Sequence, residues 1–363
     1  MEERTIKIGI THGDINGVGY EVILKTFSDT RMTELCVPIL YGSSKIAAYH
    51  RKALEIAPLN ISSVGKAEEA AIGRMNIINC IRDETKVELS KPTEISGEAA
   101  FKSLLAAVGD LKRGAVDALV TAPAGGDFAG QVTTHTEHLE KTFGSDRQKA
   151  LSILIAGELR IALLTGDVPF ANVLPQITKE KIVEKLTVFY HALKQDFNIV
   201  RPRIALLSVN PHLGGTSGKE EEHILIPAMQ EAEKRGVMSF GPYAADSLFD
   251  ARRAYDMFDG ILAMYYDQGM IPFQTLSTDA GLHYTAGLSI VRTSPVHGTC
   301  YEIAGQNVAS EASFRQAVYT ALDVFRNRKI YKEATANPLV KQYFEKNAVD
   351  ESVDLTKDDL DIL

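Results

Sequence analysis

IKIGITHGDINGVGYE, residues 6–21, decides the fold. It opens with a short β-rich apolar run, passes through a glycine-rich loop and ends by starting a helical pattern. Strand, loop and helix in that order are the repeating unit of α/β architecture. Working outward, runs of the same character are VPILYG (37–42), MNIINC (75–80), ALVTA (118–122), LSILIA (151–156), RIALLT (160–165), RIALLSV (203–209) and ILAMYY (261–266). Helical stripes lie between and after them. Ile182, Leu186, Phe189 and Leu193 share one face of a helix that begins near Thr178, and Phe314, Val318, Ala321, Leu322 and Phe325 repeat the pattern after Ser310.

The 363 residues correspond to two domains at roughly 150 residues each. No internal repeat or Pro/Gly/Ser linker divides them. The expected division is residues 1–130 plus 310–363 as a discontinuous first α/β domain and 131–309 as the second, carrying most of the site loops and the dimer contacts. The acidic tail from Asn347 to Leu363 is expected to be a solvated extension, unless Leu360 to Leu363 dock.

Hydrophobic residues make up 45% and charged residues 24%, which excludes collagen-like, disordered and disulfide-scaffold classes. The formal net charge is 39 − 47 = −8, which argues against a nucleic-acid binder dependent on a basic surface. Cys36, Cys80 and Cys300 are far apart and form no C-x-x-C pair, as fits a reducing cytoplasm. The start, MEERTIKIGIT, has no basic region before a long apolar stretch, so no secretion signal is expected. No apolar run approaches the roughly 20 residues of a membrane span.

Ligands of α/β proteins bind beyond the carboxyl ends of strands, so the loops there carry the chemistry. THGDINGVGYE (11–21) fails the G-x-G-x-x-G dinucleotide fingerprint at Val22; its glycines either allow tight turns, with Asp14 as a turn cap, or approach a ligand. TTHTEHLEK (133–141) has capping-box spacing at Thr134 and Glu137, which marks either a helix start and nothing more or a helix start at which His135 and Thr136 let an anion dock. VNPHLGGTSGKEEEH (209–223) is not a P-loop, because Glu220 follows Lys219, and His212 either faces a cleft or is a satisfied structural residue. In IVRTSPVHGTCYEIAGQ (290–306), Arg292 either grips a carboxylate or phosphate or makes a surface ion pair, and His297 either lines a site or braces a turn.

Taken in order, GDINGVGYE (13–21), TAPAGG (121–126), THTE (134–137), TGD (165–167), NPHLGG (210–215), ADSLF (245–249), MYYDQG (264–269) and RTSPVHGT (292–299) resemble the 4-hydroxythreonine-4-phosphate dehydrogenase family of vitamin B6 biosynthesis. The resemblance implies two α/β/α domains of the isocitrate/isopropylmalate dehydrogenase type, a homodimer, and an active site in the interdomain cleft. It implies oxidation of 4-phosphooxy-L-threonine by NAD, with NADP as the alternative, and then loss of carbon dioxide. Substrate contacts fall on His135, Thr136, Gln274, His283 and Arg292, and metal positions on Asp167, His212 and Tyr266. Asp246 and Asp267 sit in retained segments and either shuttle a proton or cap turns. Neither nucleic acid nor a membrane is an implied partner.

The departures are concentrated in the same cleft. Two of three metal-site histidines are replaced, by Asp167 and Tyr266, which weakens zinc relative to a harder ion such as magnesium or manganese, with cobalt also open. The family lysine is Gln274, its asparagine is His283, and the lysine after TAP is Gly126. Phosphate affinity should therefore fall unless a protonated His283, His12 or Lys219 compensates. Two alternative readings follow: a paralogue acting on another phosphorylated hydroxy acid such as a phosphothreonate, or a ligand-binding relic without turnover.

Overall fold

The opening stretch folds as a strand and a helix, β1 (Lys7–Thr11) and α1 (Gly19–Ser28), joined by the glycine loop. A computed structural model of the chain describes residues 4–82, 84–125, 135–144, 149–211, 218–277 and 280–337. Gly126, Thr134, His212 and the tail from Asn347 lie outside these residues.

Next come α2 (Arg31–Leu35), β2 (Val37–Gly42), α3 (Ser44–Ala53), β3 (Ile61–Val64), β4 (Met75–Asn79), α4 (Glu94–Lys112) and β5 (Ala118–Thr121). The middle of the chain gives α5 (His135–Phe143), β6 (Leu151–Ala156), β7 (Leu159–Leu163), α6 (Lys179–Gln195), β8 (Ile204–Leu207), α7 (Ile226–Lys234) and β9 (Ser239–Tyr243). The remainder is α8 (Ala245–Leu248), β10 (Gly260–Ala263), α9 (Tyr266–Leu276), β11 (Leu282–Ala286), β12 (Arg292–Pro295) and α10 (Ala312–Thr335).

The twelve strands of the described residues join in one sheet, ordered β3-β4-β2-β1-β5-β12-β11-β6-β7-β10-β8-β9. Strands β3 through β12 of that order are parallel to one another, as are β7, β10, β8 and β9. The two parallel blocks meet through the antiparallel pairs β12–β11, β11–β6 and β6–β7. Parallel strands covered on both faces read as continuous apolar runs. Accordingly β2, β5, β8 and β10 are buried at every position. The β6–β7 hairpin closes at Gly157 and Glu158, with Gly157 at φ +58° supplying the conformation that a two-residue turn requires.

The turn reading of the glycine loop holds. Gly13 has φ +69°, and a Cβ there would stand 2.1 Å from the Pro123 carbonyl oxygen. Asp14 accepts the Asn16 N–H at 2.8 Å, and also hydroxyls from Ser96 and Tyr301 at 2.9 and 2.6 Å. The loop is thus fixed against the segment after β5.

Helix α6 starts where Thr178 Oγ1 accepts the Lys181 N–H, and Ile182, Leu186, Phe189 and Leu193 are buried beneath it. On α10, Phe314, Val318, Ala321 and Leu322 are buried likewise. Four strands, β3, β9, β11 and β12, were not among the expected apolar runs. Arg292 and His283 therefore sit inside strands, not on strand-end loops. The three cysteines are free thiols. Among the described residues no helix is long and apolar enough to cross a membrane.

Candidate functional site

Two parallel blocks of opposite sense leave the middle of the sheet, β6, β11 and β12, as the floor of a cavity of about 520 Å³. Ser152 rises from β6, His283 from β11 and Ser294 from β12, all on one face because side chains alternate along strands. Thr136 contributes from α5, Asp167 from the loop after β7, Lys181 and Lys185 from α6, and Tyr266 from the first turn of α9.

Arg292, two residues before Ser294 and on the same face of β12, lies beside this floor and is 4% exposed. Its Nε and one terminal nitrogen donate to Thr121 Oγ1 at 3.1 and 2.7 Å. The other terminal nitrogen donates to His283 Nδ1 at 3.0 Å and Thr285 Oγ1 at 3.2 Å. Among the described residues no carboxylate pairs with it, so the surface ion-pair reading is excluded. A buried cation without a counter-ion is unfavourable alone and is relieved by an anion. Burial lowers the guanidinium to about 10, which leaves it charged at neutral pH.

An arginine can only donate, so His283 Nδ1 must accept. The ring proton is then on Nε2, and His283 offers a donor together with its neutral ring. Burial, reinforced by the Arg292 charge, holds His283 at about 3, and His135 also at about 3 for the same reasons in the same order. This corrects the expectation that a protonated His283 restores the charge absent at Gln274. His12 does not restore it either: it is fully buried, stacked on Tyr20 with ring centres 5.2 Å apart, and burial lowers it to about 4. Lys219 is not among the residues lining the cavity.

The cavity thus unites Thr136, Asp167, Tyr266 and His283, with Arg292 beside His283 and His135 within the field of Arg292. Gln274 borders an adjoining cavity of about 320 Å³, which shares Val296 with the first and contains Val18, His297 and Ile303. Asp246 and Asp267 face a third cavity of about 380 Å³ beside Tyr265. There Asp246 accepts the Ser247 N–H at 2.8 Å, a local turn contact.

The three expected metal positions can be followed at two. Asp167 offers a hard anionic oxygen, while burial and then the charges of Asp167 and Asp267 push the Tyr266 phenol above its ordinary value. Tyr266 accordingly stays a neutral hydroxyl and a weak ligand at neutral pH. Among the described residues no group of three His, Cys, Asp or Glu side chains is placed to hold a metal ion.

Several contributors were not anticipated. Gln268, within MYYDQG, accepts the Met264 N–H at 2.8 Å and donates to the Ser208 carbonyl at 2.7 Å. Thr165 Oγ1 donates to the Met264 carbonyl at 3.1 Å, so the ends of β7, β10 and β8 are tied together. Glu221, in a π-helical turn, accepts the N–H groups of Val209 and Asn210, each at 2.9 Å, and fixes the chain just beyond β8. Lys181 and Lys185 gave no sequence signal beyond the polar side of an amphipathic helix.

The family described as Pyridoxal phosphate biosynthetic protein PdxA matches residues 34–321. A protein of Bacteroides thetaiotaomicron named 4-hydroxythreonine-4-phosphate dehydrogenase is 52% identical over 99% of this chain and 100% of its own length. One of the same name from Aquifex aeolicus is 36% identical over 86% of this chain and 96% of its own. The crystal structure of the Klebsiella pneumoniae 4-hydroxythreonine-4-phosphate dehydrogenase superposes with a TM-score of 0.76 at 27% identity, covering 89% of this chain and 100% of the other. The α/β architecture of the isocitrate/isopropylmalate dehydrogenase type expected from sequence therefore holds.

Proposed function

Because the chain belongs to the PdxA family of pyridoxal phosphate biosynthetic proteins, we propose that it is an oxidoreductase converting 4-phosphooxy-L-threonine to 3-amino-2-oxopropyl phosphate and carbon dioxide. The observation that carries this reading is Arg292, a buried guanidinium with no carboxylate partner among the described residues, set directly beside a cavity-lining His283. That pair suits a phosphorylated anion.

In the proposed reaction the 3-hydroxyl loses its proton and C3 loses a hydride, giving a β-keto acid. The bond from C2 to the carboxylate then breaks, and its electron pair forms an enolate that is protonated at C2. When bound, NAD or NADP would supply the hydride acceptor, and a divalent cation would supply positive charge beside the alkoxide and enolate oxygens. The residues that would hold such a cation are Asp167 and His212, with Tyr266 as a neutral third neighbour. Asp167 favours magnesium or manganese over zinc, with cobalt also to be tried. The adjoining apolar cavity around Val18 and Ile303 suits a flat ring of the dinucleotide. On the protein side, His135, Thr136 and the Arg292–His283 pair orient the phosphate, and the Nε2–H of His283 donates to an anionic oxygen.

Asp246 and Asp267, the proposed proton carriers, face the third cavity, whose rim carries exposed Ile271 and Leu276. Exposed Phe170 packs edge-on against Tyr265 beside them. That apolar surface fits a homodimer contact, through which these carboxylates would approach a neighbouring cleft. The enzyme is proposed to act in the cytoplasm.

The test is NADH absorbance with NAD and 4-phosphooxy-L-threonine, adding magnesium, manganese, cobalt or zinc in turn. Signal accompanied by carbon dioxide release is expected, and it would eliminate the relic reading. Gln274, in place of the family lysine, motivates one rival substrate, a phosphothreonate. Turnover of that acid alone would reject the B6 role.

A further inference from the structure

Resting on that reading, we propose that Lys181 is a specificity-determining residue whose ammonium fixes an anionic oxygen of the substrate, supplying the positive charge that Gln274 does not. Lys181 and Lys185 stand one turn apart on α6 and both line the cavity that contains Thr136, Asp167 and His283. Their surroundings differ. Lys185 is engaged, donating to the Ala150 carbonyl at 2.8 Å and lying 3.4 Å from Glu184. Lys181 donates to the neutral Gln176 Oε1 at 2.7 Å, and among the described residues no carboxylate lies within ion-pair distance of it.

Burial, followed by the charge of Lys185, lowers the Lys181 ammonium from its ordinary value. A second anionic partner relieves both effects. Glu137, Glu140 and Asp167 also line the cavity, so the site carries both signs of charge and can orient a substrate bearing an ammonium as well as anions. Lys181 is held on a rigid element, because Ile182 and Leu186 are buried against the sheet and Thr178 caps the turn from which it projects. Gln176, in the segment just before the cap, lines the same cavity and fixes the direction of the side chain.

The test compares the parent protein with Lys181→Met and Lys181→Arg, using 4-phosphooxy-L-threonine and its unphosphorylated counterpart. Lys181→Met is expected to raise KM for the phosphorylated compound roughly 10- to 100-fold, the range of one charge-assisted hydrogen bond, with a smaller effect on kcat. Lys181→Arg keeps the charge and should restore most of the affinity. If Lys181→Met also loses the preference for the phosphorylated compound, the ammonium meets the phosphate; if both compounds weaken alike, it meets the carboxylate. Either result upholds the proposal, and an unchanged KM overturns it. Thermal denaturation with 4-phosphooxy-L-threonine and no NAD gives a readout independent of turnover: the parent should be stabilised and Lys181→Met much less. Equal stabilisation of the two overturns the proposal. A parent that is stabilised but does not oxidise the compound refutes the proposed reaction alone, and one that does neither refutes both.

Discussion

At the scale of single residues, the exchange of asparagine for histidine at position 283 becomes intelligible through one hydrogen bond. Nδ1 of His283 accepts from Arg292 at 3.0 Å, which leaves Nε2–H as a donor. An asparagine side chain offers the same pair of functions, a carbonyl oxygen for the guanidinium and an N–H donor. His283→Asn should therefore keep kcat/KM within about threefold, whereas His283→Phe leaves an Arg292 N–H unpaired at a cost of about 1–3 kcal/mol. Steady-state kinetics on the two variants decide this, and equal losses would refute the shared-geometry argument. The pH dependence follows with its sign: a ring held at about 3 is neutral throughout the working range, so His283 contributes no change in KM between pH 6 and 8. Asp167, Tyr266, Thr136 and Arg292 were singled out from sequence because each sits in a short segment resembling the family, and the first three line the cavity. Lys181 was not, since helical periodicity identifies the buried stripe and is silent about what the polar stripe faces.

Among the elements, legibility followed burial. Strands β1, β2, β4, β5, β6, β7, β8 and β10 coincide with apolar runs because the sheet is covered on both faces there. Strands β11 (LHYTA) and β12 (RTSP) escaped because their cavity-facing positions carry His283, Arg292 and Ser294, the polar groups of the proposed site. Strands β3 and β9 are the edges of the sheet, short or interrupted by glycine and proline, where pattern is weakest. The stack that packs the glycine loop also went unread. His12, Tyr20 and His50 come from the end of β1, α1 and α3, with ring centres 5.2 and 5.0 Å apart and nearly parallel planes. His50 Nε2 donates to the Ile15 carbonyl at 2.9 Å, pinning the loop. Burial lowers both histidines from 6.5 to about 4, so the folded state binds their protons later than the unfolded chain does. Their contribution is complete above pH 6.5 and is lost as pH falls from there to about 4. Urea unfolding across that window should show a shallower pH slope for His50→Gln than for the parent, by close to one proton. Parallel slopes would remove the stack as the source of acid sensitivity.

For the molecule as a whole, α10 is the element that returns from the end of the described chain to both halves, packing on β5, β11, β12, α1 and α6. Its anchor is Arg328. Nε donates to Asp196 Oδ1 at 2.7 Å, one terminal nitrogen to the Tyr284 hydroxyl at 2.9 Å, and the other to the carbonyls of Leu288 and Ile290 at 3.1 and 2.9 Å. Tyr284 in turn donates to Asp196 Oδ2 at 2.6 Å, so the end of α6, strand β11 and α10 share one buried network. Asp196 has only 2% of its side chain exposed, and losing its cation strands a buried carboxylate. Arg328→Met should lower unfolding free energy by about 3–5 kcal/mol, and adding Asp196→Asn should recover part of it. Alternation along β11 separates this effect from catalysis: Tyr284 points away from the cavity face that His283 occupies. Below its melting range, Arg328→Met should therefore keep the KM of the parent while Lys181→Met does not. A rise in KM for Arg328→Met equal to that of Lys181→Met would show that the clamp and the cavity are not mechanically separate.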